Sequence, residues 1–210
     1  MKTKKKTLSK KAGRPKKEGS TNLREDFILA GTKLLEKEGL ENFSLRKVAN
    51  LAGVSHVALY HHFTNKEELL SAIAQKGYEK YFFSYEEELL NIKNDFYGKF
   101  SALGWNYIWF HIENPHIAKI MFQGSENSES NKKFNPITRK TYRQLREIIV
   151  LGQKEKKIKQ GKIRDKTIAA WAMVHGIAML ILEKRLNPGK TKQKIKNFVI
   201  NIMDYSIQGM

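Results

Sequence analysis

The chain has 210 residues, 40% of them hydrophobic, with 11 Phe, 8 Tyr and 3 Trp, which excludes a wholly disordered protein and allows one domain or a small module joined to a larger one. Cysteine is absent, which excludes disulfides, zinc ribbons, iron–sulfur clusters and thiol catalysis and fits a reducing compartment. Lys and Arg number 39 against 21 Asp and Glu, a net charge of +18 that calls for a polyanion, either nucleic acid or an acidic membrane surface.

The excess is placed unevenly. Residues 1–20 hold nine basic groups and one acid, Glu18, while residues 21–80 balance at eight and eight. Residues 81–130 come to −4 and residues 131–210 to +14, so two basic regions flank a neutral module. The first twenty residues, MKTKKKTLSKKAGRPKKEGS, carry almost no apolar content and are expected to form a disordered basic arm. Within it Pro15 fixes an extended backbone next to Arg14, a side chain suited to a narrow, A·T-rich minor groove. The plainer alternative is a solubilising tail. No apolar stretch of signal-peptide type follows the arm. The longest apolar run, Ile168–Leu182, is interrupted by His175 and Gly176 and falls short of the roughly 20 residues that a span needs. A cytoplasmic protein without a membrane role is the expectation.

From Leu23 onward the pattern is helical, with no sustained alternation of strand type, and the expected fold class is all-α. Phe27, Leu29–Ala30 and Leu34–Leu35 recur at three-and-four spacing, and Gly39 is a suitable C-cap. Ser44 then caps a two-turn helix whose apolar face is Leu45, Val48, Ala49 and Ala52. Gly53 supplies the left-handed backbone that stops it, and Val54 packs the corner. Ser55 caps a second short helix with Leu59 and Phe63 facing inward. Two short helices joined by a tight turn with Gly are a helix-turn-helix.

The outer face of the second helix carries no acid. His56 and Tyr60 stack at i,i+4, as do Val57 and His61. Val57 or Ala58 suits a thymine methyl, His56 a base edge, and Tyr60 a phosphate. Arg46, in the opening turn of the first helix, reaches a guanine or a phosphate. Thr64 and Glu67 are expected to form a capping box for the next helix, Lys66–Lys80, with Lys66 at its positive end where a phosphate would be welcome.

The run LRKVANLAGVSHVALYHHFTNKEELL closely resembles the DNA-binding domain of the TetR/AcrR family of transcriptional regulators, in its A-x-x-A-G-V-S turn, its L-Y-x-H-F helix and the following N-K-E-E-L-L. The resemblance covers residues 23–70. It implies that Ser55, His56, Val57, Tyr60, His62 and Lys66 stand at positions used for DNA contact, and Arg46 at one used for base reading. With Ser44, Ala58 and His61 these complete the expected contact set. Many members carry Lys, Arg or Gln where His56 stands, which opens the question of the preferred base. The segment around Gly13-Arg14-Pro15-Lys16 resembles a short AT-hook core.

The rest of the chain is larger. Leu103–Phe122 reads as a helix broken at Asn114-Pro115, with Trp105, Trp109, Ile112, Ile117, Ile120 and Met121 on a bulky face. Gly124–Asn135 is the evident loop. Ile168–Leu186 is apolar almost all round and so expected to be buried on most sides, stopped by Pro188-Gly189. A last amphipathic helix spans Lys194–Ile207. Such a pair suggests a four-helix interface between two copies, with the reading helices about 34 Å apart. The resemblance agrees, since TetR-like regulators typically dimerise through their last two helices. Ala170-Trp171 and Val174-His175-Gly176 further resemble the C-terminal type named for a Trp-His-Gly signature.

His175 reads first as a satisfied core histidine, with Gly176 allowing close helix approach. The functional alternative bonds it to a small-molecule effector in a pocket lined by Trp105, Trp109, Phe122, Trp171 and Met179. Arg139, Arg143 and Arg146 share a helix face within the basic stretch Lys132–Lys166. That stretch reads as a solvated face, with a second DNA contact or an acidic effector as alternatives. No histidine cluster, Gly-rich phosphate loop, nucleophile elbow or H-E-x-x-H motif points to a metal, a cofactor or an enzyme. The expected organisation is an arm (1–20), a DNA-binding domain (21–68) and an effector-binding and dimerisation domain (69–210). The expected function is a homodimeric, ligand-released repressor on a palindromic double-stranded operator, the alternative being a nucleoid-type architectural protein without base readout.

Overall fold

The computed structural model describes residues 22–123 and 131–209. The described residues form helices α1 (Leu23–Glu38), α2 (Leu45–Ala52), α3 (His56–Tyr60), α4 (Lys66–Leu89), α5 (Phe96–Glu113), α6 (Pro115–Gln123), α7 (Asn131–Lys154), α8 (Ile163–Leu182) and α9 (Lys192–Gly209), with no strand among them. The fold is all-α, with an N-terminal helix-turn-helix and a larger helical body. The basic arm and Arg14 lie outside the described residues.

Local chemistry builds the reading head. The Ser44 hydroxyl accepts the Lys47 N–H at 3.4 Å to start α2, and the Ser55 hydroxyl accepts the Ala58 N–H at 3.1 Å to start α3. Between them Gly53 sits at φ 73°, ψ 24°, and its N–H bonds back to α2. A Cβ at Gly53 would meet nothing within 4 Å, so Gly53→Ala costs only the left-handed backbone. Urea unfolding should show a loss of about 1–2 kcal/mol. A loss near zero would mean that this turn needs no left-handed residue. Beneath the turn Phe27, Val48, Leu59, Phe63 and Leu69 are fully buried and hold α1, α2, α3 and the start of α4 together.

Several expectations change at this level. Ile28, not Leu29, faces the core; Leu29 is exposed. The cap of α4 is shifted by one residue: Asn65 accepts the Glu68 N–H at 2.8 Å, and the Glu68 carboxylate accepts the Thr64 N–H at 2.8 Å. The Asn65 side-chain oxygen takes the cap because its own backbone is extended there, ahead of Lys66. The fourth helix runs to Leu89, nine residues beyond Lys80, because Tyr81, Phe82 and Tyr85 continue its buried face. It therefore crosses the domain boundary expected at 68/69.

In the body α5 is central, touching α4, α6, α7, α8 and α9. The bend at Asn114-Pro115 falls where expected. Asn114 is buried there, its amide donating to the Phe110 carbonyl at 3.0 Å and its oxygen accepting from Lys80 at 2.9 Å. Asn106 fastens α5 to α4 in the same way, donating to the Tyr81 carbonyl and accepting from Ser84. α6 lies on α4 and also touches α1. It can sit this close because Gly77 has no side chain: a Cβ there would stand 2.5 Å from Ile117 Cγ2.

α7 begins at Asn131, so the last five residues of the expected loop, 131–135, are helical and Pro136 falls within the helix. Gly124–Ser130 lies outside the described residues. α8 spans Ile163–Leu182, not 168–186, and is 20 residues long. Among the described residues it is the one helix long and apolar enough, by length and composition, to cross a membrane. In the fold it packs on α5 and α7. The expectation that it is buried on most sides fails for a single chain: Ala170, Val174, Ile177 and Ala178 face inward, but Ile168 (43%) and Leu180 (42%) stay exposed. Nor does Gly176 bring helices together, since a Cβ there would meet nothing within 4 Å. That outer side of α8 is uncovered in the protomer.

Candidate nucleic-acid interface and internal cavity

The outer face of α3 is bare. Val57 is 67% exposed and Tyr60 50%, while His56, His61 and Ser55 are exposed and Ala58 is half-buried. The His56 and Tyr60 rings meet edge to face at 4.8 Å, which holds the phenol in one orientation across the helix. Arg46 is exposed on α2, next to the half-buried cap Ser44. Beside them Lys47 is held by Glu38 at 2.7 Å and by the Asn42 carbonyl at 3.0 Å. The face thus offers one cation, imidazoles, a phenol and small apolar groups, with no carboxylate from α3.

Two expected contacts are placed differently. His62 is half-buried with its ring 5.7 Å from Phe27, since it follows the end of α3 and turns back toward α1. Lys66 is also half-buried: its ammonium donates to the Leu40 carbonyl at 3.2 Å and lies 5.7 Å from the Phe43 ring. The helix start that should present it to a phosphate instead ties the α1–α2 connection to α4. Arg24, absent from the expected set, is exposed at the start of α1 with its guanidinium 5.0 Å over Phe63. Its position in the first turn, just before the apolar stripe, was the available signal.

A cavity of about 600 Å³ lies in the body between α4, α5, α7 and α8. That is within the range of small-molecule sites. Its expected lining is largely wrong. Trp171 lines it, but Trp105 and Trp109 stack on each other at 5.1 Å, with Lys196 and Lys192 over their faces. These lysines belong to α9, and neither tryptophan is among the residues that line the cavity, although Met203 of α9 is. His175 and Met179 are half-buried outside the lining, and the Phe122 side chain lies outside the described residues.

The opposite stripe of α5, Leu103, Tyr107 and His111, faces the space instead, with Tyr78 and Tyr81 from α4. Reading spacing alone could have found this stripe, since 103, 107 and 111 recur at four. The Tyr78 hydroxyl donates to the Met121 carbonyl at 3.1 Å. The Tyr107 hydroxyl lies 3.0 Å from His175 Nδ1 and 3.5 Å from Trp171 Nε1. One arrangement satisfies all three: the indole donates to the phenol, and the phenol donates to the imidazole. His175 therefore has the partner that a core histidine requires.

Burial dominates the ionisation of this region. It raises the Tyr81 and Tyr107 phenols well above their ordinary value and Tyr85 to about 12. Burial also lowers His111 to about 4, opposed by its hydrogen bond to the Tyr107 carbonyl. With Nδ1 at 2.7 Å from that carbonyl, the neutral ring carries its proton on Nδ1. On the α7 side the lining includes Arg139, Arg143 and Arg146, all exposed, beside Thr141, Tyr142, Leu145 and Glu147. The shared face of the three arginines, expected first to be solvated with a second DNA contact or an acidic effector as alternatives, borders this space. No metal-binding group of His, Asp and Glu occurs among the described residues.

Residues 27–73 match the family described as bacterial regulatory proteins, tetR family, and residues 100–200 match the tetracyclin repressor-like C-terminal domain. An uncharacterized HTH-type transcriptional regulator of Haemophilus influenzae is 30% identical over 108 residues, 51% of this chain. That match spans 57% of the relative, little more than half its length. The nucleoid occlusion factor SlmA of Vibrio campbellii is 26% identical over 157 residues, 71% of this chain and 78% of that protein. Among solved structures, a protein with unknown function from Rhodococcus sp. RHA1 is 24% identical, with a TM-score of 0.80 over 94% of this chain and 99% of that one. This last likeness is one of fold. Since the first match covers the helix-turn-helix and the second the helical body behind it, the chain belongs to the TetR family of DNA-binding transcriptional regulators.

Proposed function

We propose that the protein is a cytoplasmic repressor that binds a palindromic operator as a homodimer and leaves it when a small molecule enters the cavity. The observation that carries the reading is the bare α3 face above a fully buried core of Phe27, Val48, Leu59, Phe63 and Leu69, on a helix system continuous with the cavity. In this reading residues 21–68 read DNA, and residues 69–210 hold the effector and the partner copy. Val57 and Ala58 meet thymine methyls and His56 a base edge. Tyr60, Ser44, Ser55 and His61 meet the backbone, and Arg46 reaches a guanine or a phosphate. His62 and Lys66 act from behind, by holding the head to α1 and α4. Arg14 and its neighbours add minor-groove and phosphate contacts.

The uncovered side of α8, with exposed Tyr205 on α9, supports pairing of two copies. The continuity of α4 supports release. Tyr78 and Tyr81 border the cavity, and Lys66 and Leu69, three turns earlier on the same helix, support the head. About 18 Å of uninterrupted helix joins them. α6, clamped on Gly77 and reaching α1, is a second mechanical link.

Selection of binding sites from random duplexes tests the reading. The full chain should prefer its selected site over random duplex by about 10³ or more. Arg46→Ala should cost about 1–3 kcal/mol per half-site, and His56→Ala with Val57→Ala should relax base preference more than it weakens binding. A ratio near one would instead describe a nucleoid-type binder. Deleting residues 1–19 should lower the slope of log K against log[salt] by about 0.9 for each phosphate the arm neutralises. An unchanged slope would remove the arm from the interface.

A further inference from the structure

The cavity has two chemically different ends. Its inner wall is apolar and aromatic, with Phe100, Leu103, Phe110, Met121 and Val174. The α7 side carries Arg139, Arg143 and Arg146, spaced by four and three along one stripe of the helix. Like charges at that spacing repel, so the stripe is unfavourable unless something compensates it. None of the three guanidinium groups makes an ion pair or hydrogen bond among the described residues. Lys140, next to Arg139, shows the contrast: it pairs with Glu86 at 3.8 Å and lies 4.3 Å over the Phe82 ring. Glu147 is the one carboxylate among the lining residues, set against three cations.

The geometry points to an anionic amphiphile as the effector: an apolar chain or ring seated among the tyrosines, with a carboxylate or phosphate group on the three arginines. This inference rests on the reading of the cavity as the effector site. Guanidinium groups bind both kinds of anion with two parallel hydrogen bonds, and they hold less water than an ammonium. The tail contributes through burial of apolar surface against Leu103, Phe110 and Val174. A neutral ligand of equal length gains the second effect without the first. Occupying the arginines also relieves the repulsion along α7, which packs on α4. The headgroup thereby acts on the same helix that supports the reading head.

Calorimetric titration of the full chain with decanoate, decanoyl coenzyme A and decanol tests this. At least one anion should bind about tenfold or more tighter than decanol, with the advantage shrinking as salt rises. The carboxylate and the phosphate-bearing thioester, compared directly, identify which headgroup is preferred. The triple variant Arg139→Gln, Arg143→Gln, Arg146→Gln should lose that advantage and keep its affinity for decanol. Val174→Trp, which fills the apolar end, should weaken all three. Equal binding of decanol and both anions, or an anion affinity indifferent to the triple substitution, overturns the proposal; so does failure of both anions to bind. Operator affinity measured beside it separates the two readings. Arginine-dependent binding with unchanged operator affinity supports the ligand class and ends ligand release, whereas release by decanol alone does the reverse.

Discussion

The double substitution Ile168→Glu, Leu180→Glu is expected to leave a folded protein that runs as a monomer and binds the operator about a thousandfold more weakly. Both side chains lie on the uncovered side of α8 and are more than two-fifths exposed, so little packing within the protomer is lost. In a dimer the same carboxylates would be buried against their symmetry mates, where unpaired charge is expensive. A dimer engages the second half-site at high effective concentration, an advantage of about 10²–10⁴ that a monomer forgoes. Sedimentation velocity reads the oligomeric state, and titration of a full operator against a single half-site reads the affinity. Half-site binding should be unchanged. A variant that remains a dimer with full operator affinity would place the interface elsewhere.

Acid should unfold the protein through His111. Its native pKa is lowered from 6.5 to about 4, first by burial, so the unfolded chain takes up a proton before the native state does. The stabilisation is complete above pH 6.5, declines as the pH falls from 6.5, and is exhausted once the pH passes below about 4. At roughly 1.36 kcal/mol per pH unit the loss comes to about 3 kcal/mol. The rings of His175 and Tyr107 flank the imidazole, at 6.3 and 4.3 Å, so the incoming cation gains no carboxylate from either. His111→Phe keeps a ring of similar size without the proton. Denaturant unfolding between pH 7 and 4 should be flatter for this variant than for the parent. Parallel curves would assign the acid sensitivity to other groups.

The head was legible because its signals are local. Ser44, Gly53 and Ser55 act within a few residues along the chain, and each does what its residue type dictates. The packing of Lys66 is not legible locally, because its acceptor, the Leu40 carbonyl, is 26 positions away. The cavity was misread for a related reason. α5 is apolar nearly all round, so periodicity offers both the Trp105–Trp109 stripe and the Leu103–Tyr107–His111 stripe. Only the packing of α9 against the first chooses between them. Arg139, Arg143 and Arg146 were legible as one face, yet nothing near them in the chain tells what that face adjoins. α8 carries a similar ambiguity: an all-round apolar helix is the same string whether its neighbours come from its own chain or from another.

Because α4 belongs to both the head and the cavity, the ligand release proposed above would have to be reciprocal. If a guest lowers affinity for DNA by some factor, DNA lowers affinity for the guest by the same factor. The inducing dose is then a property of the whole cell and not of the isolated protein. A strain carrying the operator on a multicopy plasmid should need more inducer per unit of response than one with a single chromosomal site.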